Sequence, residues 1–286
     1  MIPERITPMS NLAVTYGTSQ LRAGSGPSTD REKTAYWRSF IGQRHGPAER
    51  QLQRKTARFL RESRDRYVRR IGDVLTTQRG VKRSLNATQW AEILSSVIES
   101  SELRMAVETD VTRATEIAFR WAARRVGVSM GWAPEWAGVD KQIAELVTNV
   151  SGNTKTEIRS IIEQGLREGL TVNEIQSQIA RSPLFSLPRS LMIARTEATR
   201  AVSGGSYAAF QGAAAQGVIV LQQWLSAGDA RPSHYALGRT EPIMVGEKFK
   251  IPLGSKNAGE TALYPGGFDV PSEDINCRCT VVPIVE

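Results

Sequence analysis

The chain has 286 residues, 40% of them apolar and 23% charged, a composition that suits a globular protein with one or two cores. No apolar run is long enough to span a bilayer, and the first thirty residues, with Arg5 and Arg22, hold no apolar stretch, so neither a membrane helix nor a signal peptide is expected. The net charge of +8 is uneven: 16 Lys+Arg against 5 Asp+Glu between Arg31 and Arg83 put +11 there and −3 elsewhere, which predicts an acidic partner for that segment.

In chain order, Met1 to Asp30 is rich in Ser, Thr, Gly and Pro (Gly24-Ser25-Gly26-Pro27-Ser28-Thr29), has no periodicity, and predicts a flexible arm. From about Pro47 to Val126 the pattern is helical. Leu52, Thr56, Phe59, Leu60, Ser63, Tyr67, Ile71 and Val74 recur at three-to-four spacing and form one stripe. Trp90, Ile93, Leu94, Val97 and Ile98 begin a second helical pattern, capped near Asn86 or Thr88, which resumes through Val107, Val111, Ala114, Ala118 and Trp121. After Gly131-Trp132-Ala133-Pro134, short helices are expected. One carries Ile158, Ile161, Ile162 and Leu166 and is capped by Gly169; the next starts at a capping box of Thr171 and Glu174, before Ile175 and Ile179.

A longer, alanine-rich helix is predicted from Pro188 to Gln216, stopped by Gly217. Only then does the period change, with strands expected over Val218–Leu225, Pro242–Lys250 and Cys279–Val285. Helices first and strands last argue an α+β fold, with a long helix packed on a small, mainly antiparallel sheet. The resulting division is an arm (1–46), a helical region that is basic at its start (47–168) and a C-terminal α+β domain (169–286). The two cysteines, Cys277 and Cys279, are separated by one residue and cannot staple distant segments. A protein made in a reducing cytoplasm is expected.

The C-terminal third carries the specific residues. Ile193-Ala194-Arg195-Thr196-Glu197-Ala198-Thr199-Arg200 lies on the long helix, followed by Trp224 on a strand and by Asp229-Ala230-Arg231-Pro232-Ser233-His234. Tyr264-Pro265-Gly266 comes next, and Asp274-Ile275-Asn276-Cys277-Arg278-Cys279-Thr280-Val281-Val282-Pro283-Ile284 closes the chain. In order and spacing this set resembles the phage Mu F-like head morphogenesis family, with its "ARTE" helix, D-x-R-x-x-H/C turn and terminal N-C-R-C strand. The resemblance runs from about Leu170 to Ile284. It implies a non-enzymatic minor capsid protein of a tailed bacteriophage, built into the procapsid beside the portal protein and other head proteins and serving head assembly and DNA packaging or delivery. It also marks Arg195, Thr196, Glu197, Trp224, Arg231 and Arg278 as motif residues. Some family members append a toxin domain after this module; here the sequence stops three residues after Pro283, and no effector tail is expected.

Arg195 and Glu197 are two apart on a helix and cannot pair with each other. Glu197 can reach Arg200 at the surface, or anchor Arg231 or Arg278 between helix and sheet. His234, Cys277 and Cys279 offer zinc an imidazole and two thiolates, with Asp229 as a fourth, oxygen ligand. Residues two apart in a strand face the same side, so joint ligation by the C-x-C pair is geometrically open; two apolar thiols packed in the core are the alternative. An enzymatic alternative, a metal-assisted nuclease or cysteine-dependent hydrolase, would use His234 with Cys277 or Asp229. On the 52–75 helix, Arg54, Lys55, Arg58, Arg61, Arg66 and Arg69 lie opposite the apolar stripe, either as a solvated face or as a surface for double-stranded DNA read without sequence specificity, or for an acidic patch on the portal.

Overall fold

The computed structural model describes residues 27, 29–76, 85, 88, 90, 93 and 100–285. Helix α1 (Asp30–Phe40) opens on a capping box: the Glu32 amide donates to Thr29 Oγ1, and the Thr29 amide to the Glu32 carboxylate. It continues through a π-helical segment, Ile41–His45, into α2 (Gly46–Thr76), so the chain is helical without a break from Asp30. The arm expected over 1–46 therefore cannot extend past Thr29; residues 1–26 lie outside the described residues. Tyr36, Phe40, Arg44 and His45 are buried, which gives this segment a core-facing side.

On α2 all eight residues of the predicted stripe, Leu52 to Val74, are buried, two of them the hydroxyls Thr56 and Ser63. The stripe packs against α3 (Ser100–Arg125), whose Val107, Val111, Ala114 and Ala118 belong to the same core. Of the intervening pattern, Thr88, Trp90 and Ile93 are helical and Ile93 is buried; Asn86, Leu94, Val97 and Ile98 lie outside the described residues. Where short helices were expected after Pro134, a 3-10 turn (Pro134–Ala137) leads into one 29-residue helix, α4 (Val139–Arg167). Its unbroken buried stripe (Val139, Ile143, Leu146, Val150, Ile158, Ile162) carries it through Gly152, although glycine costs a helix about 1 kcal/mol relative to alanine. Gly169 ends it at φ 73°, with the Leu170 amide donating back to Gly165 O at 2.9 Å. The Thr171–Glu174 capping box then starts α5 (Val172–Arg181).

Helix α6 (Leu187–Ala215) falls within one residue of the predicted span, capped by Ser186 and stopped at Gly217, φ 88°. Strand β1 (Val220–Leu225) is the centre of a three-stranded antiparallel sheet between β2 (Ile243–Met244) and β5 (Thr280–Val285). Its pairing with β5 sets Trp224 opposite Val281 and Gln222 opposite Pro283. The single strand expected over Pro242–Lys250 is two short ones. Gly246, at φ 104°, turns the chain after β2, and β3 (Phe249–Lys250) pairs with β4 (Thr261–Ala262) in a separate ribbon. Two one-turn helices complete the chain, α7 (Pro232–Leu237) and α8 (Pro271–Asp274).

The boundary expected at 169 is not a boundary in the packing. One core joins α2, α3 and α4 to Ile175, Ile179, Ala194, Ala198 and Val202; the other joins Phe119 and Ala122 of α3, and Val126 just past its end, to Phe210, Trp224, Phe249 and both cysteines. Helix α6 runs through both. At Gly205 it approaches α3 so closely that a Cβ would lie on the Thr115 carbonyl. Tyr36 Oη also donates to Val281 O at 3.2 Å and Trp37 Nε1 to Arg278 O at 3.2 Å, which seats α1 on the last strand. Among the described residues no helix is long and apolar enough to cross a membrane.

Candidate functional site

The motif residues of α6 grip the loop that leads into β5. Arg195 Nη1 donates to Asn276 Oδ1 at 2.8 Å, the Asn276 amide donates to Thr196 Oγ1 at 2.9 Å, and Thr199 Oγ1 donates to Cys277 O. Asn276 is held at φ 64°, a left-handed conformation that asparagine tolerates better than most residues. One turn along, Arg200 Nε donates to Gly266 O at 2.9 Å. The spacing 195, 196, 199, 200 is one helix face, so three side chains reach the Asn276–Cys277 turn while Arg200 reaches the Gly266 loop beside it. This clamp helps to fix where Cys277 and Cys279 sit.

Behind the clamp lies a buried ionic network. Arg200 faces Asp274 at 3.3 Å, Glu197 at 3.6 Å and Glu145 at 3.7 Å, and Gln142 Nε2 donates to Glu197 Oε2 at 3.2 Å. Glu197 thus pairs with Arg200, as the simpler expectation had it, but inside the protein rather than on its surface. Burial raises the Glu197 carboxyl and pushes Asp274 up to about 6, against the opposing pull of Arg200. The other partners considered for Glu197 are engaged elsewhere: Arg231 Nη2 donates to Ile275 O at 2.6 Å, and Arg278 pairs with Asp229.

His234, Cys277 and Cys279 converge. Nδ1 of His234 stands 3.5 Å from each sulfur, and all three side chains are buried against the wall of a cavity of roughly 460 Å³. The Ala227 amide donates to Cys279 Sγ at 3.5 Å and the Cys279 amide to Cys277 Sγ at 3.4 Å. On the far side of the ring, Nε2 lies 3.2 Å from Glu273 Oε2, and Glu273 is itself held by Ser233 Oγ at 2.7 Å and Asn257 Nδ2 at 2.6 Å. Trp224 meets the imidazole edge-on at 5.0 Å between centroids, and Phe268 stacks on it at 5.7 Å. The two neighbouring thiols split: Cys277 and the adjacent His234 hold Cys279 below the usual thiol range, while Cys279 and burial push Cys277 well above it. Asp229, expected to complete the set, does not join it. It is exposed and ion-paired with Arg278. A hydrolase or nuclease built on Asp229 with His234 loses its geometry for the same reason.

The basic face of α2 is less uniform than its sequence. Arg54, Arg58, Arg61 and Arg69 are exposed, but Lys55 pairs with Asp110 at 3.0 Å and Arg66 with Glu102 at 2.6 Å, both on α3. Counting charges along one helix overlooks partners that a second helix supplies. Sequence reasoning also missed Glu273, His45 and Arg44. His45 Nε2 meets Thr199 Oγ1 at 2.9 Å, and burial lowers the imidazole to about 4. Arg44 stacks on Trp121 at 3.5 Å, and burial lowers it to about 10. The signal for His45 was available, since the chain has only two histidines and the other is at the cluster.

Residues 156–282 match the family model described as Phage Mu protein F like protein. Among curated proteins the chain is 35% identical over 144 residues to NAD(+)--arginine ADP-ribosyltransferase EFV of Enterococcus faecalis, covering 50% of this chain and 26% of that protein. It is 24% identical over 176 residues to Uncharacterized protein YqbB of Bacillus subtilis (60% and 52% covered). With Minor head protein GP7 of Bacillus phage SPP1 it shares 26% over 150 residues (52% and 44%). The chain thus spans about half or less of the length of these relatives. No solved structure gives a significant match. The matched span holds the α6 clamp, His234 and both cysteines, and over residues 156–282 the chain is similar to the Phage Mu protein F like family.

Proposed function

We propose that this chain is a minor head protein of a tailed phage, incorporated in the procapsid near the portal and acting in head assembly and DNA packaging rather than as an enzyme. The observation that carries this reading is the Mu F-like domain, together with a relative named as a minor head protein that aligns over half of this chain. Procapsids isolated from infected cells should contain the chain and yield it together with the portal protein; its absence from them would overturn the reading. The relative named as an ADP-ribosyltransferase shares a quarter of its own length with this chain. On this reading the shared stretch is the head domain, and incubation with NAD+ and an arginine substrate should give no ADP-ribosylation. Turnover would show that the chain is an enzyme.

The partner of the α2 basic face is, on the same reading, double-stranded DNA inside the head. Arg54, Arg58, Arg61 and Arg69 are exposed, and none needs to read a base to contact phosphate. Reversing these four to Glu changes helix propensity little. It should leave the fold intact, weaken DNA binding for every sequence, and flatten the plot of log K against log salt by about 3 to 4. Unchanged DNA binding with lost procapsid incorporation would make the face a protein-docking surface.

A further inference from the structure

We propose that His234 Nδ1 and the sulfurs of Cys277 and Cys279 bind one zinc ion, with Glu273 orienting the imidazole and the fourth position open to the adjoining cavity. Tetrahedral zinc, at about 2.3 Å from sulfur and about 2.0–2.1 Å from nitrogen, holds its N and S ligands roughly 3.5 Å apart. Both N···S separations here are 3.5 Å. One imidazole nitrogen offers either a single proton or a single lone pair, so a hydrogen bond satisfies one sulfur and not two at equal distance. A shared cation satisfies both.

Three further features point the same way. Nε2 lies 3.2 Å from the Glu273 carboxylate, whose negative charge favours the tautomer with its proton on Nε2 and leaves the Nδ1 lone pair towards the sulfurs, as in carboxylate–histidine–zinc sites. Each sulfur receives a backbone amide, a donor that suits a metal-bound thiolate. The ligand chemistry, two thiolates and an imidazole, selects zinc over magnesium or calcium. The three ligands come from α7 and from the loop that α6 clamps, so the ion would tie the short C-terminal elements to the long helix. Asp229 is withdrawn by Arg278, which leaves three protein ligands and one position facing solvent.

The test uses the full chain, expressed in zinc-supplemented medium and purified without chelator. Elemental analysis should give about one zinc per chain, and replacement by cobalt should give thiolate-to-cobalt charge-transfer absorption that disappears in the Cys277→Ser/Cys279→Ser variant. Because that variant can fail by misfolding, Glu273→Gln provides a second arm. It keeps all three ligands and should weaken zinc about 10–100-fold in competition with a chelating dye. Asp229→Ala should keep full stoichiometry. A wild-type chain that carries no zinc and gives no cobalt band overturns the site. Zinc lost on Asp229→Ala overturns the three-ligand assignment, and unchanged affinity in Glu273→Gln overturns the part given to Glu273.

Discussion

Gly204 and Gly205 are adjacent on α6, yet replacing each by alanine should change stability in opposite directions. Both are buried in a helix interior, where alanine is favoured over glycine by about 1 kcal/mol. At Gly204 an added Cβ would meet nothing nearer than Tyr264 Oη at 3.5 Å, an ordinary contact. The propensity gain is kept there, and Gly204→Ala should stabilise by about 0.5–1 kcal/mol. At Gly205 the Cβ would lie on the Thr115 carbonyl oxygen, with the carbonyl carbon at 3.0 Å and Cγ2 at 3.1 Å. Two of these three atoms are backbone of α3 and cannot rotate away, so the helices must part. Overpacking of this kind typically costs about 1–3 kcal/mol, a cost measured with whatever propensity gain accompanies it. Urea unfolding of the full chain should therefore show a midpoint raised in Gly204→Ala and lowered in Gly205→Ala, both at unchanged slope. A Gly205→Ala protein as stable as wild type would mean that α3 and α6 do not meet as described, and the continuity of the helical region with the C-terminal α+β region would lose its main support.

Three further outcomes follow from the same packing. His45 falls from 6.5 to about 4 on burial, so the unfolded chain binds more protons between those values; the group's contribution is complete above pH 6.5 and declines as pH falls, by about 3 kcal/mol in all. His45→Gln should flatten this part of the stability–pH curve, and a curve unchanged by the substitution would refute the burial. A fragment from Leu170 to Glu286 should stay largely unfolded in circular dichroism, because α6 would lose α2 and α3; a cooperative melt would restore a boundary near 169. Thr199→Val keeps the volume but removes the hydroxyl between His45 and Cys277 O, and should cost about 1–3 kcal/mol by leaving a buried acceptor unpaired. Equal thermal stability of Thr199→Val and wild type would show that the clamp contributes little.

Much of the fold was legible because its signals are local. The α2 stripe, the Thr171 capping box, the Gly169 and Gly217 stops and the span of α6 each depend on residues within a few positions of one another. What failed needed tertiary information. Short helices were expected after Pro134, but a stripe buried on both sides of Gly152 carries α4 through as one helix. Asp30–His45 looked like arm because its apolar residues are few, and their burial depends on β5 and Trp121, far away in sequence. The division at 169 followed a change in residue pattern, whereas the cores follow the helix that crosses it.

The site divides along the same line. That Cys277, Cys279 and His234 should meet was readable from residue chemistry and from the two-residue spacing of the thiols. Asp229 was assigned to them because it begins the same D-x-R-x-x-H turn, but membership of a turn says nothing about direction. From the start of that turn Asp229 reaches outward to Arg278, while His234, on the one-turn helix that follows, points inward. Glu273 could not be recognised from sequence, being one of two consecutive acids in a four-residue helix. It acquires a role only where Ser233, Asn257 and His234 surround it. The motif letters on α6 have the same character. Arg195, Thr196, Thr199 and Arg200 look like a helix surface until the backbone of Gly266, Asn276 and Cys277 is laid against them. Their spacing then matches the two stretches they hold, the Gly266 loop and the Asn276–Cys277 turn that leads to the thiols.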